Sequence, residues 1–133
     1  MATSTPWGTA DHAEHIARGI VWYTTPSHGG YHISPGRMKE MPDVLRRIGM
    51  NDGDGGAWFE EDCDWAAVEV TWPEECGASK YLGGPRDALG TALCCLRNWH
   101  PAEYEWFTGL VADEQNSAMR RSQARTASRT LSA

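Results

Sequence analysis

Gly19-Ile-Val-Trp-Tyr-Thr-Thr-Pro-Ser-His-Gly-Gly-Tyr-His-Ile-Ser34 is the stretch whose reading decides the fold. Gly19 to Thr25 is β-branched and aromatic on both alternating faces, the pattern of a strand covered on both sides. Pro26-Ser27-His28-Gly29-Gly30 supplies turn chemistry and Tyr31 to Ile33 returns, so a β-hairpin is predicted. Ser34-Pro35 joins an N-cap to a proline at the first helical position, and Met38, Met41, Leu45 and Ile48 share one helical stripe. Pro42 sits inside that stripe and predicts a kink or two short helices.

Further along, Asn51 to Gly56 is a glycine-rich loop. Val68, Val70 and Trp72 alternate with Glu69 and Thr71 as in a strand with one wet face, stopped by Pro73. Gly84-Pro85 is expected to open the longest core helix, with Leu89, Leu93 and Leu96 beside Ala88, Ala92, Cys95 and Trp99 on a broad apolar face and with Leu93, Leu96 and Trp99 buried. A short helix from Pro101 to Phe107 should end at Gly109 and set Tyr104 and Phe107 on the same core. Beyond Asn116 the composition turns to Ser, Thr, Ala and Arg, too little apolar surface to offset the entropy of ordering. The expectation is an α+β fold: a small mixed or antiparallel sheet with a β-hairpin, packed by two to four short helices, forming a single domain over residues 1–114 with a basic, mobile tail over 115–133. The elements do not alternate regularly enough for a doubly wound sheet.

Charge is the second signal. Asp52, Asp54, Glu60, Glu61, Asp62, Asp64, Glu69, Glu74 and Glu75 lie between Arg47 and Lys80 with no basic residue among them. Carboxylates this dense must be hydrated, bind a cation or face a basic partner. Up to Glu114 there are eight Lys/Arg against eighteen Asp/Glu, a net of −10, whereas the tail carries Arg120, Arg121, Arg125 and Arg129 and no acid. The body therefore repels nucleic acid. No window is apolar enough for a membrane span and no signal-peptide core is present, which points to a soluble protein of the cytoplasm. Cys63, Cys76, Cys94 and Cys95 form no C-x-x-C pair and are expected to pack as reduced thiols.

Two constellations are candidates for chemistry. In the first, Ser27, His28, Gly29, Gly30 and His32 gather two imidazoles and free backbone N–H groups at one turn, although this is not the helical spacing of zinc hydrolases. The simpler account is that the glycines meet the needs of the turn and the histidines satisfy neighbouring carbonyls. The second is Trp58-Phe-Glu-Glu-Asp-Cys-Asp-Trp65, in which Glu60, Glu61, Asp62 and Asp64 are the candidates for meeting a partner, while Glu60 to Asp62 could instead be solvated or cap a helix, or Glu60, Glu61 or Asp62 complete a metal site with the histidines. As a calcium loop beginning at Asp52 the sequence fails, since the sixth position is Ala57 rather than glycine and the twelfth Cys63 rather than glutamate. Nucleotide-binding and serine-hydrolase signatures are absent. The tryptophans at 58, 65 and 72 sit among acids, which suits core packing better than base stacking.

Pro6-Trp-Gly, Gly19-Ile-Val, Thr24-Thr-Pro-Ser-His-Gly-Gly-Tyr-His-Ile-Ser34, Met41-Pro and Trp58-Phe-Glu-Glu-Asp-Cys-Asp-Trp65 together resemble an uncharacterised domain family found in proteins of bacteriophages, plasmids and integrative elements. The resemblance covers roughly residues 6–107 and carries no site with it. It implies a mobile-element protein acting in a bacterial cytoplasm. In that setting the expected function is non-enzymatic: an accessory protein that binds a protein partner through an acidic face, such as a nuclease or effector of a CRISPR or restriction system, without cofactor, membrane or nucleic-acid contact. The alternative is a metal-dependent hydrolase or transferase joining His28 and His32 to Glu61, Asp62 or Cys63, with Glu60 as the base.

Overall fold

The predicted hairpin is the middle of a larger sheet. The structure, a computed structural model, describes residues 3–132. In chain order its elements are β1 (Ser4–Thr5), β2 (Gly8–Thr9), β3 (His12–Ala17), β4 (Ile20–Thr24), β5 (Gly29–Ile33), α1 (Pro35–Met38), α2 (Asp43–Arg46), β6 (Met50–Asn51), β7 (Ala57–Glu60), α3 (Trp65–Thr71), α4 (Ala88–Trp99), α5 (Pro101–Thr108) and α6 (Ala118–Ser132). One sheet runs β3-β4-β5-β7-β6, antiparallel at every pair, and β1 and β2 form a separate hairpin. The α+β class is thus realised with its antiparallel option.

Strand register makes the two faces of the sheet unlike. Trp22, Tyr31 and Phe59 share one rung, and Ile20, Ile33 and Ala57 another. Helices cover this face, so that Ile20, Tyr31, Ile33, Ala57 and Phe59 enter one core with Met38, Met41, Leu45, Val68, Leu96 and Tyr104. The opposite face carries Val21, His32 and Trp58 on one rung and Tyr23, Gly30 and Glu60 on the next. Here β4 is only half covered, in contrast to the expected two-sided burial. Trp7, from the turn between β1 and β2, lies over this face with its ring edge-on to Trp58, centroids 5.7 Å apart. A Cβ on residue 30 would overlap both the Trp7 ring and the Phe59 carbonyl oxygen, so glycine there is a requirement of close packing.

Several local signals act as read. The Ser34 hydroxyl accepts the Arg37 N–H at 3.2 Å and starts α1. Pro42 separates α1 from α2, and Gly109, with a left-handed φ of 74°, ends α5.

Other expectations are corrected. The segment read as a strand through Val68, Val70 and Trp72 is helical as α3. It lies between the sheet and α4, buries Ala66, Ala67, Val68 and Val70, and so is apolar on too many sides for a helical period to appear. Glu69, assigned to a wet face, instead accepts the Tyr31 hydroxyl at 2.9 Å. The helix expected from Gly84-Pro85 begins at Ala88, capped by the Asp87 carboxylate on the Gly90 N–H at 2.8 Å. Trp99, expected to be buried, is 44% exposed, Phe107 is exposed as well, and Leu93 is only half-buried. At twelve residues against seven, α4 outreaches α3 by about 8 Å, so α3 alone cannot cover its whole length.

The basic tail is helical as α6. Its start is fastened to α4, where the buried Ser117 donates to the Asn98 carbonyl at 3.0 Å and the Asn98 side chain accepts the Ala118 N–H at 2.6 Å. From Arg121 onward most of its described side chains stand in solvent.

Candidate functional site

The two constellations singled out in the sequence meet, because β5 and β7 are neighbours. Gly30 pairs with Glu60, and the Glu61 N–H donates to the Gly29 carbonyl at 3.0 Å. His28 Nδ1 consequently lies 3.4 Å from Glu61 Oε1. Ser27, His28, Glu61 and Asp62 form an exposed polar rim at this end of the sheet. The turn itself is closed by Thr25, whose N–H and hydroxyl both donate to the His28 carbonyl, at 2.7 and 2.8 Å. Gly29 and Gly30 do not offer their backbone to a ligand, since both are ladder residues buried between β4 and β7.

Glu60 organises the acidic segment. Its carboxylate accepts the backbone N–H groups of Asp62, Cys63 and Asp64 at 2.8, 2.7 and 2.9 Å. Burial works against its ionisation, but those three donors together hold its carboxyl below the usual glutamate range. With Glu60 doing the capping, Asp64 caps nothing, although it stands at the N-cap of α3. Its Oδ1 lies 3.0 Å from His100 Nε2, at the junction of α4 and α5, and 3.8 Å from Cys63 Sγ. Burial, followed by the Glu60 carboxylate, pushes the Cys63 thiol up to about 12, and burial and the same acidic surroundings push the neighbouring Cys95 up to about 11. Both thiols are therefore protonated at neutral pH, unlike an activated nucleophile.

His28 and His32 are not brought to one centre. His32 Nε2 faces Asp52 Oδ2 at 2.8 Å, on a different strand end from the His28–Glu61 contact. Among the described residues, the group of three potential ligand side chains that converges is Cys63, Asp64 and His100. The pairing of the histidines with Glu61, Asp62 or Cys63 at one metal is therefore not assembled. His100 is a functional candidate that the sequence did not single out, and the contact of Asp52 with His32 was not anticipated from its place in the glycine-rich loop. His100 is a lone histidine before Pro101, and nothing local connects it to a segment 36 residues away.

The acidic run is mostly spent internally. Asp52 also accepts the Asp54 and Gly56 N–H groups at 2.7 and 3.0 Å, and Glu75 pairs at 3.1 Å with Arg37, whose guanidinium lies over the Trp72 ring. With Glu60, Asp64 and Glu69 engaged as described, Asp54, Glu61, Asp62 and Glu74 remain exposed. Elsewhere, an open cleft of about 670 Å³ between α1, α2 and the β6–β7 loop contains Lys39, Arg46 and Arg47 but neither histidine nor cysteine. At the C-terminal end of α5 the surface changes character: Trp106 is 80% exposed, followed by exposed Phe107, Leu110 and Val111.

Residues 1–130 match the family described as Domain of unknown function (DUF7007), and the chain belongs to that family. The match extends into α6. No curated protein and no solved structure matches the chain.

Proposed function

We propose that this member of the family is a non-enzymatic protein-binding module, anchored on its partner by the apolar end of α5 and oriented by the acidic rim of Glu61 and Asp62. The observation that carries this reading is the exposure of Trp106 at 80% beside Leu110 at 61% and Val111 at 67%. Water gains nothing from such a run, whereas a partner that covers it gains the burial of a tryptophan, the commonest kind of interface anchor. His100 at the start of α5 touches Asp64 next to the acidic rim, and Trp106 lies about 9 Å further along the same helix. That separation is within the span of one interface of ordinary size, and the proposal requires one partner to reach both.

The setting proposed is a bacterial mobile element and its host's cytoplasm, with a nuclease or effector of a CRISPR or restriction system as the partner. A basic nucleic-acid channel on such a partner would be drawn to a body of net −10. Mimicry of a phosphate array by the whole acidic run loses support, because five of its nine carboxylates are bonded within the fold. Among the described residues no helix is long and apolar enough to cross a membrane. The test is affinity capture from bacterial lysate with wild-type protein, Trp106→Ala and the double charge reversal Glu61→Lys/Asp62→Lys. Loss of a shared partner in the variants supports the reading, and unchanged capture removes it.

A further inference from the structure

We propose that Cys63, Asp64 and His100 form a binding site for one zinc-like transition-metal dication. Their ligand atoms, a sulfur, a carboxylate oxygen and an imidazole nitrogen, all lie within 4.8 Å of one another. Around a tetrahedral zinc ion, neighbouring N and O ligands stand about 3.3 Å apart and S and O about 3.5 Å, from ligand distances of ~2.0 and ~2.3 Å. The observed separations are 3.0 Å for His100 to Asp64 and 3.8 Å for Cys63 to Asp64. A movement of about 0.3 Å brings each of these two pairs to ligand spacing, and the Cys63–His100 pair, within 4.8 Å, has to close to about 3.5 Å for the ion to be held by all three.

The surrounding backbone holds these three residues without help from a metal. Glu60 fixes the turn that carries Cys63 and Asp64 through its three N–H contacts. His100 is held on the other side, with its N–H donating to the Leu96 carbonyl at 2.7 Å and its carbonyl accepting the Tyr104 N–H at 2.9 Å. Such supporting contacts orient metal ligands before binding. Neither Asp64 nor His100 spends its side chain on the helix it precedes, although both stand at N-cap positions. Each is turned instead toward the other and toward Cys63.

The chemistry of the set selects the ion. One thiolate, one carboxylate and one neutral imidazole carry a charge of −2 and balance a dication, the thiol proton leaving to solvent as the S–metal bond forms. Sulfur and imidazole together favour zinc, cobalt or iron over magnesium or calcium. All three residues are half-buried, so the cluster is neither sealed in the core nor fully in solvent. Cys95 contacts the same turn, its Sγ lying 3.7 Å from the Cys63 carbonyl oxygen.

The test is a titration of metal-free full-length protein with cobalt(II), read by absorbance. The expected result is a saturable thiolate-to-cobalt charge-transfer band at one equivalent, displaced by zinc. Cys63→Ser should abolish the band, and His100→Gln and Asp64→Asn should each weaken binding by roughly tenfold or more. Cys94→Ser, on an exposed thiol of the neighbouring helix position, should leave it unchanged, and far-ultraviolet circular dichroism of the metal-free variants should match wild type. Absence of a stoichiometric band in folded wild-type protein, or its persistence in Cys63→Ser, overturns the proposal. The spectrum reads the ion alone, so its outcome is independent of the protein-binding proposal, whose variants spare all three ligands.

Discussion

The carboxylate of Glu60 accepts three backbone N–H groups, while that of Glu69, nine positions later, is buried against one phenol. The two therefore titrate in opposite senses. Glu60 has a folded pKa below the unfolded glutamate value of 4.5, so it contributes stability above that value and loses it as pH falls through the folded pKa. Glu60→Gln should cost about 1–2 kcal/mol at neutral pH, as for a lost helix cap, and the cost should fade in acid. For Glu69, burial raises the pKa despite the Tyr31 hydroxyl, so the ionised form opposes folding at neutral pH and ceases to do so once protonated. Glu69→Gln should raise the melting temperature at neutral pH and leave it unchanged in acid below the glutamate range. Thermal melts of both variants across pH check these signs. No sequence pattern distinguishes the two glutamates, because each role depends on which strand or helix happens to lie opposite.

At the scale of elements, burial assigns unequal weight to two residues of α4. Leu96 is fully buried and Leu96→Ala should cost about 2–5 kcal/mol, whereas Trp99→Ala, with 44% of the residue already in solvent, should cost less, about 1–2 kcal/mol. Denaturant melts of the two variants decide the point, and equal losses would place Trp99 in the core after all. The hairpin of β4 and β5, the break at Pro42 and the stop at Gly109 were legible because each rests on a local backbone preference: strand propensity, a missing N–H, a positive φ. α3 was not legible. Its alternating Val68, Val70 and Trp72 satisfy a strand period over too few residues to exclude a helix, and only its position between sheet and α4 settles the matter. The same limit applies to the candidate site. The acidic turn and the histidine turn could each be seen, but their meeting at His28 and Glu61 depends on β5–β7 pairing across some thirty residues of sequence. The junction of Asp64 with His100 depends on how α4 and α5 fold back.

Over the whole molecule, charge and apolar surface are unevenly spread. The body carries −10 and the tail +4, with α6 fastened to the body through Asn98, Ser117 and an Arg120–Glu105 ion pair at 2.9 Å. Much of the negative charge belongs to internal bonds; on the proposed function, the net charge would steer a basic partner and Trp106 with its apolar neighbours would hold it. These contributions separate by salt. Attraction between exposed charges is screened over about 8 Å at physiological ionic strength, and burial of tryptophan is not. The most direct measurement is capture from bacterial lysate by wild type, Trp106→Ala and Glu61→Lys/Asp62→Lys at low and high salt, quantified by mass spectrometry. The account predicts a partner retained by wild type, lost at both salts by Trp106→Ala to the extent of about 2 kcal/mol or roughly thirtyfold, and weakened chiefly at low salt by the charge reversal. Recovery of the same proteins in the same amounts by all three would contradict it.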